Sequence, residues 1–586
     1  MRFATLTRHF EELEATTARR ALIEILARLF QASGDDIEQV VLLCQGRVAP
    51  FFEPVEIGMG EKLVAEAIAA AFETTRDEVL RRYGQVGDLG LVAQALAAER
   101  SGAVTADLTV AEVFATLRQI AQTAGEGSVE RKVMLLADLL RRCDPVAAKH
   151  LTRLPLGTLR LGIGDPTILD GLALARTGSV AARKSLERAY NLTSDLGLIA
   201  RTLWTGGLEA VERLGVQVGK PIRPALAERL PSAEAVIAKL GLVAVEPKFD
   251  GFRTQVHKRG SQIAIFSRNL ENMTTMFPEI EEGARQQIMA AEAIVEGEAI
   301  AFNPESEEFY PFQETTKRRR KHQVAEMAQE LPLRLFLFDL LYADGVDYTT
   351  RPYSERRAAL ERLVAPGEVL HVAPQRITNR ADELTAFLLE QVANGLEGVV
   401  VKRLDAPYQA GARNFNWVKL KRTSQGHLQD TVDCVILGYL YGRGKRSALG
   451  AGALLAGVYD DERDEFVTIC KIGTGLTDAE WREIRARCDQ IMVPERPARV
   501  RSLIEPSVWV EPAVVIEVLA DEITRSPIHT AGRTETEPGY ALRFPRLVRF
   551  RGSEKRPEDA TTVREIIALY QQQVQTRSRA VETAAE

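Results

Sequence analysis

Three charged residues alternate in the stretch Glu246-Pro247-Lys248-Phe249-Asp250, which ends on Gly251. The preceding residues, GLVAVEP at 241–247, read as a short buried strand. A strand sends alternate side chains to one side, so Glu246, Lys248 and Asp250 are expected on one face where the chain turns at Gly251. An amine so placed has two uses. It can be a salt-bridged strand end, the commoner fate of lysine, or it can be a nucleophile. At pH 7 only roughly one lysine in a few thousand is neutral, so nucleophilic use requires burial, neighbouring cations or a metal that masks the acidic charge. Lys-x-Asp-Gly alone decides little, because a chain of this length carries it by chance about one time in ten.

Further residues capable of chemistry follow in order. They are Arg253, Arg268 in SRN, Glu298 in EGEAIAF, Phe338 in FLFDLLY, and Glu397 and Lys402 in EGVVVK. Then come Arg413, Trp417, Lys419 and Lys421 in GARNFNWVKLKR, and Arg543 and Arg546 in ALRFPR. Taken singly, each has a plain structural reading: an isolated SRN is a surface arginine, and an aromatic inside LRLFLFDLLY is core. Lys419 and Lys421 alternate in a strand-like run and so share a face.

The elements that must position these residues fall into three stretches. Residues 1–213 read as helical: Phe3, Leu6, Phe10 and Leu13 repeat at spacings of three and four, as a one-sided helix requires. Thr109 with Glu112 three residues on reads as a capping box. In TLRLGIGDPTILDGLA, Gly162 and Gly164 precede Asp165 as the expected N-cap and Pro166 at the first helical position. Such a helix start can hold a phosphate or be a plain turn. GVQVGKPIRPALAERLP at 215–231 marks a boundary, after which short β-type runs mix with helices. No GxGxxG lies between a strand and a helix, which excludes a Rossmann unit. From about residue 425 the runs DCVILGYLYG, GALLAGVYD, EFVTICKIG and AVVIEVLA predict a small β-barrel. A helix through VREIIALYQQQV closes the chain, and the last dozen residues are expected to be disordered.

Composition sets bounds. The 586 residues are 45% hydrophobic and 27% charged, ordinary for a soluble protein of three or four domains. No signal-like or membrane-length apolar run is present, so a cytoplasmic location is expected. The five cysteines lie far apart with no CxxC pair, against a disulfide framework or a cysteine zinc module. A net charge of −6 argues mildly against a nucleic-acid partner. The basic runs at 316–322, 417–422, 442–446 and 541–556 nevertheless leave room for local basic grooves.

In its order and separations the set of motifs closely resembles that of ATP-dependent DNA ligases, within the covalent nucleotidyltransferases, of the three-domain archaeal and eukaryal-like type. The resemblance implies an all-α DNA-binding domain at 1–213, an α+β adenylation domain at 214–424 and a β-barrel OB-fold domain with C-terminal helix and tail at 425–586. It implies that Lys248 attacks the α-phosphate of ATP and carries AMP, that Glu246 contacts the adenine and that Phe338 stacks on it. Arg253 and Arg268 would meet the ribose and phosphates, and Arg413, Lys419 and Lys421 would cradle the α-phosphate. Glu298 and Glu397 would sit by the nucleotide as ribose or Mg²⁺ ligands, and Arg543 and Arg546 would orient the pyrophosphate. The implied partner is nicked double-stranded DNA encircled by a monomer, in replication or repair. NAD⁺-dependent ligases resemble a different layout with a cysteine zinc site. RNA ligases and capping enzymes share Lys-x-Asp-Gly without two hundred helical residues before it. An inactive DNA clamp would lack one of Lys248, Glu298, Lys419 or Arg543.

Overall fold

The computed structural model describes residues 1–100, 107–303, 308–310, 315, 317–318, 324–394, 396–421, 430–441, 451–473 and 476–573. The basic run at 442–446, most of that at 316–322, and the tail after 573 lie outside the described residues. The chain forms two compact units. The first comprises Met1–Tyr190, Ser194–Leu214 and Glu495–Arg499, the second Asn191–Thr193, Gly215–Pro494 and Val500–Glu586.

The first unit is helical. Its opening helix, Phe3–Glu14, buries Phe3, Leu6, Phe10 and Leu13 completely, as their spacing requires. Thr109 caps the helix Val110–Gln122 by accepting from Glu112 N–H at 3.2 Å. The Glu112 carboxylate turns instead to Arg142, 2.5 Å away, so only half of the expected box forms. The helix Asp165–Thr177 is capped by Gly164, with Asp165 inside its first turn. The physical reason is that the Asp165 carboxylate is taken by Tyr190 and Gln45, at 2.5 and 2.8 Å, and is not free to cap its own helix.

The second unit begins as α+β. One five-stranded sheet places Gly398–Arg403 between Val243–Lys248 and Arg413–Lys421, antiparallel to both. A seven-stranded sheet is built on Phe252–Arg259, Glu292–Asn303 and Leu333–Ala343, again antiparallel. The Lys248 strand ends at Lys248 and the next begins at Phe252, so Asp250 and Gly251 form the bend that passes the chain from one sheet to the other. Further on the unit is β-rich: Val432–Leu440, Ala453–Asp460 and Glu465–Ile472 pair in succession. The first of these hands its other edge from Val515–Leu519 to Val508–Val510. All five cysteines are free and buried. No described helix is long and apolar enough to cross a membrane.

The segment leading into the second unit is strapped onto Phe252–Arg259 by every second side chain of that strand. Arg253 donates to Ala225 O at 2.7 Å, and Gln255 donates to Ile222 O at 2.9 Å while accepting from Ile222 N–H at 2.7 Å. His257 Nδ1 accepts from Gly219 N–H at 2.9 Å, and Arg259 donates to Val218 O at 2.8 Å. Since His257 Nδ1 accepts, its proton sits on Nε2 and goes to Gln255, 2.8 Å away. Burial holds this imidazole neutral, with its pKa lowered to about 3. The unfolded chain binds this proton near pH 6.5, so the contribution is full above that pH and is lost as pH falls toward 3. Wild-type protein should therefore lose on the order of 3 kcal/mol more stability between pH 7 and pH 4 than His257→Gln, read from urea midpoints at both pH values.

Candidate active site

The bend after Lys248 opens on a cavity lined from both sheets and from the β-rich part of the same unit. Its floor is electrostatically divided. On one side Glu397 stands between two ammonium groups, paired with Lys248 and with Lys421, the latter at 2.5 Å. Burial would push the Glu397 carboxyl up, but Lys248 and Lys421 hold it well below the usual range. The arrangement follows from register. Gly398 faces Lys248 on one neighbouring strand and Lys421 on the other, so the residue just ahead of it delivers its carboxylate between them. A Cβ at Gly398 would lie 2.1 Å from Leu420 O, and its φ of 149° suits only glycine.

Two further carboxyls crowd the same place. Glu298 lies in mid-strand, half-buried, and its Oε1 accepts from Gly251 N–H at 3.2 Å. Burial pushes its pKa up to about 7 against the pull of Lys248 and Arg253. Asp250 is raised by burial and by Glu397. Neither Glu298 nor Glu397 belongs to a group of three Asp, Glu, His or Cys at metal-ligand spacing among the described residues. The group that does, Glu11, Glu14 and His150, already holds the Lys149 ammonium. Two carboxylates that share a site with room for phosphate and water match what Mg²⁺ takes.

The other side of the cavity is basic. Arg413 pairs with Glu565 at 2.6 Å, Lys419 stands 3.7 Å from the same carboxylate, and Arg229 bonds Asp430 at 2.6 Å. Lys419 is pushed well below the usual lysine range by burial and by Arg229, Arg413 and Lys421 nearby. That is the signature of a cluster with more cations than anions. Arg268 also lines the cavity, and its Nε is buried without a hydrogen-bond partner. Arg253 is tied to Glu296 at 2.9 Å.

The apolar part of the site is built by strand parity. In Leu333–Ala343 the residues Leu333, Leu335 and Leu337 face the core, and Phe338 points to the cavity. Trp417 packs edge-on to it, at 5.8 Å between centroids, and is buried. Glu246 is 2% exposed; it is bonded by Lys402 at 2.7 Å and by the Tyr353 hydroxyl. Lys402 also donates to Phe338 O at 2.9 Å and lies over three rings, those of Phe338, Tyr353 and Trp417.

Thus Glu246, Lys248, Arg253, Arg268, Glu298, Phe338, Glu397, Arg413, Lys419 and Lys421 all line one cavity, and Arg543 and Arg546 do not. Arg546 is exposed and paired with Asp521, and Arg543 is exposed beside Phe544. From that part of the chain, Arg549, Arg551 and Lys555 line the cavity instead. Arg546 and Arg549 pair with Leu519 and Glu517 across a register shift and so lie on one face, but Arg546 is held at the exposed end of its strand by Asp521, whereas Arg549 is held by Glu517, itself part of the cavity lining. Asp433 pairs with Lys555 and, at 3.6 Å, with Arg551, while Glu517 takes Arg549 at 2.7 Å. The alternation of arginine at 549 and 551 was the available signal. Arg229, Asp430, Glu565 and Tyr353 had none, since they arrive from distant segments.

The arrangement offers a nucleophilic amine, an anion-binding cluster, a carboxylate pair suited to a divalent cation and an aromatic wall, which together suit transfer of a nucleotidyl group to Lys248. Comparison with known proteins gives the family. Residues 2–173 match the model of the DNA ligase N terminus, 224–421 that of the ATP dependent DNA ligase domain, and 447–554 that of the ATP dependent DNA ligase C terminal region. The chain is 52% identical over 574 residues to a probable DNA ligase of Dictyoglomus thermophilum, with 98% of each chain covered. It is 43% identical over 606 residues to the DNA ligase of Aeropyrum pernix, with both chains covered completely.

The bend itself is a sharp test of this geometry. A Cβ at Gly251 would lie 2.2 Å from Ala299 O, in the strand that carries Glu298. Gly251→Ala should destabilise the protein by about 1–3 kcal/mol, seen as a lowered thermal midpoint.

Proposed function

The chain belongs to the ATP-dependent DNA ligases, and from that premise we propose that Lys248 is the residue that carries AMP. The observation behind this is the position of Lys248 at the floor of the cavity, paired with Glu397, whose carboxylate Lys421 of the basic wall shares. Its Nζ, once it has given up a proton, attacks the α-phosphorus of ATP. The bond to the bridging oxygen breaks, and pyrophosphate leaves with the electron pair. A 5′-phosphate oxygen at a nick then takes AMP and restores the amine. Last, the 3′-hydroxyl attacks the 5′-phosphorus, loses its proton and expels AMP, which seals the strand.

Positioning and charge neutralisation do most of the work in such phosphoryl transfers. Glu397 orients the lysine amine, and its negative charge must be countered when ATP is bound. Glu298 and Glu397 are the residues proposed to hold Mg²⁺. Burial is the main cause that raises the carboxyls of Glu298 and Asp250, and a divalent cation beside them would favour their charged forms. When bound, the ion would offset charge on the α-phosphate and weaken the hold of the carboxylates on the lysine proton. Arg413, Lys419 and Lys421 would receive the α-phosphate, Arg253 and Arg268 the ribose and remaining phosphates, and Phe338 the adenine face. Glu246 would read the adenine edge. Arg549, Arg551 and Lys555 take the role of pyrophosphate clamp in this proposal, in place of Arg543 and Arg546.

The partner is DNA, and the proposed substrate is nicked duplex bound by a monomer through its backbone phosphates, during replication or repair. The proposed domains are 1–213 for DNA binding, 214–424 for adenylation and 425–586 for the OB-fold.

The deciding experiment uses protein stripped of AMP by pyrophosphate and then given ATP labelled in the AMP moiety. Acid-labile label should remain on denatured wild type, be absent from Lys248→Ala and be discharged by nicked DNA. Label retained by Lys248→Ala would sink the assignment. In the same assay Lys555→Ala should slow self-adenylation at least roughly tenfold, as loss of a phosphate contact does. It should still seal a pre-adenylated nick, and Arg546→Ala should adenylate within about twofold of wild type.

A further inference from the structure

Glu246 is held from several directions, and the holding group of greatest consequence comes from an element outside the cavity wall. The helix Tyr353–Leu363 turns one face toward the strand Val243–Lys248, and three residues at i, i+3 and i+4 share that face. Tyr353 donates its hydroxyl proton to Glu246 Oε1, and Arg357 Nη1 lies 3.5 Å from the same oxygen. Lys402 takes the other oxygen, Oε2, at 2.7 Å. The third residue of the face, Arg356, anchors the helix. It forks onto Asp339 at 2.7 and 3.0 Å, with both side chains fully buried, and it donates to the carbonyls of Arg351 and Ala406 at 2.8 and 2.9 Å.

Asp339 directly follows Phe338 in its strand. One strand therefore carries the aromatic wall of the cavity and bolts down the helix that grips Glu246. We propose that Tyr353, assisted by Arg357, is a positioning residue that sets the Glu246 carboxylate for reading the base of the nucleotide, and so sets the preference for adenine. The inference rests on the reading of Glu246 as the residue that meets the adenine edge.

Each carboxylate oxygen has about two acceptor sites. Tyr353 and Arg357 fill those of Oε1, and Lys402 fills one of Oε2. One acceptor site on Oε2 remains for a donor from the ligand, which an exocyclic amino group supplies and a carbonyl oxygen cannot. Rotation of the carboxylate would destroy this distinction. Tyr353 opposes it because its only proton goes to the charged oxygen in preference to the Gln375 amide oxygen, 3.3 Å away. Burial and the Glu246 charge raise the phenol well above its ordinary pKa, so that proton stays in place.

Tyr353→Phe keeps the ring, with its packing under Lys402, and removes only the donor. The variant should raise the KM for ATP in self-adenylation about tenfold. It should also lower the preference for ATP over ITP, which has a carbonyl where ATP has the amino group, by a similar factor. The maximal adenylation rate should stay within about twofold, and the thermal midpoint should fall by no more than a few degrees. A merely structural role would lower the midpoint or the maximal rate and leave the ATP to ITP ratio where it was, which would overturn the proposal. Glu246→Gln, assayed in parallel, separates the two layers. If it leaves the ratio unchanged, base reading by Glu246 fails and the inference goes with it. If it shifts the ratio and Tyr353→Phe does not, only the positioning role falls.

Discussion

The site depends on one ionic arrangement, a half-buried carboxylate shared by two lysines on the strands that flank its own. Glu397 pairs with Lys248 and Lys421 because the strand that follows it lies between theirs, in a register that sets Gly398 opposite both. Burying a charge is costly unless it is paired, so this carboxylate and the two ammonium groups hold the three strands to a single alignment. A slip of one residue would turn every side chain to the opposite face. The glycine at 398 is the steric condition for the arrangement, since a side chain there would run into the backbone at Leu420.

Around that arrangement the cavity is left electrostatically unfinished on purpose. Among the described residues, the ion pairs of the basic wall run from Arg229, Arg413, Lys419 and Lys421 to Glu565 and Asp430, with Glu397 shared. Glu565 comes from the closing helix, where its second oxygen accepts from Thr562 N–H at 2.9 Å. On the acidic wall, burial raises the carboxyls of Glu298 and Asp250 against the pull of nearby cations. A polyphosphate and a divalent cation are the complementary pair of charges that would complete both walls at once, which connects this electrostatic imbalance to the chemistry of an ATP-dependent ligase.

A second constraint ties the walls together mechanically. Phe252–Arg259 straps down the incoming segment with alternate side chains, and its first such residue, Arg253, also reaches Glu296 and lies over Phe338 and Trp417. Asp339 anchors Arg356 from the strand that presents Phe338. The base-facing and phosphate-facing sides of the cavity are thereby fixed to the same few strands, and a nucleotide meets a frame that is already formed.

Much of this was legible in the chain. Alternation placed Glu246 with Lys248 on one face of their strand, and Lys419 with Lys421 on one face of theirs, because a strand has a side-chain period of two whatever it packs against. The order of the motifs marked the family, and the spacing of Phe3, Leu6, Phe10 and Leu13 marked a one-sided helix. Where the reading went astray, a local rule met a competitor it could not foresee. Asp165 lost the helix cap to Gly164 because Tyr190 and Gln45 claimed its carboxylate, and Arg546 is held at the exposed end of its strand by Asp521, a partner from a distant segment. Phe338 had a plain core reading from pattern, and only the opposing sheet leaves its face open to the cavity. The sequence by itself determined the residue types, their local periodicity and the family they belong to. Tertiary structure alone decided which distant charges meet: Glu397 at Lys248, Glu565 at Arg413 and Tyr353 at Glu246. Such pairings depend on strand register and on the packing of helices far apart along the chain, and no local spacing encodes either one.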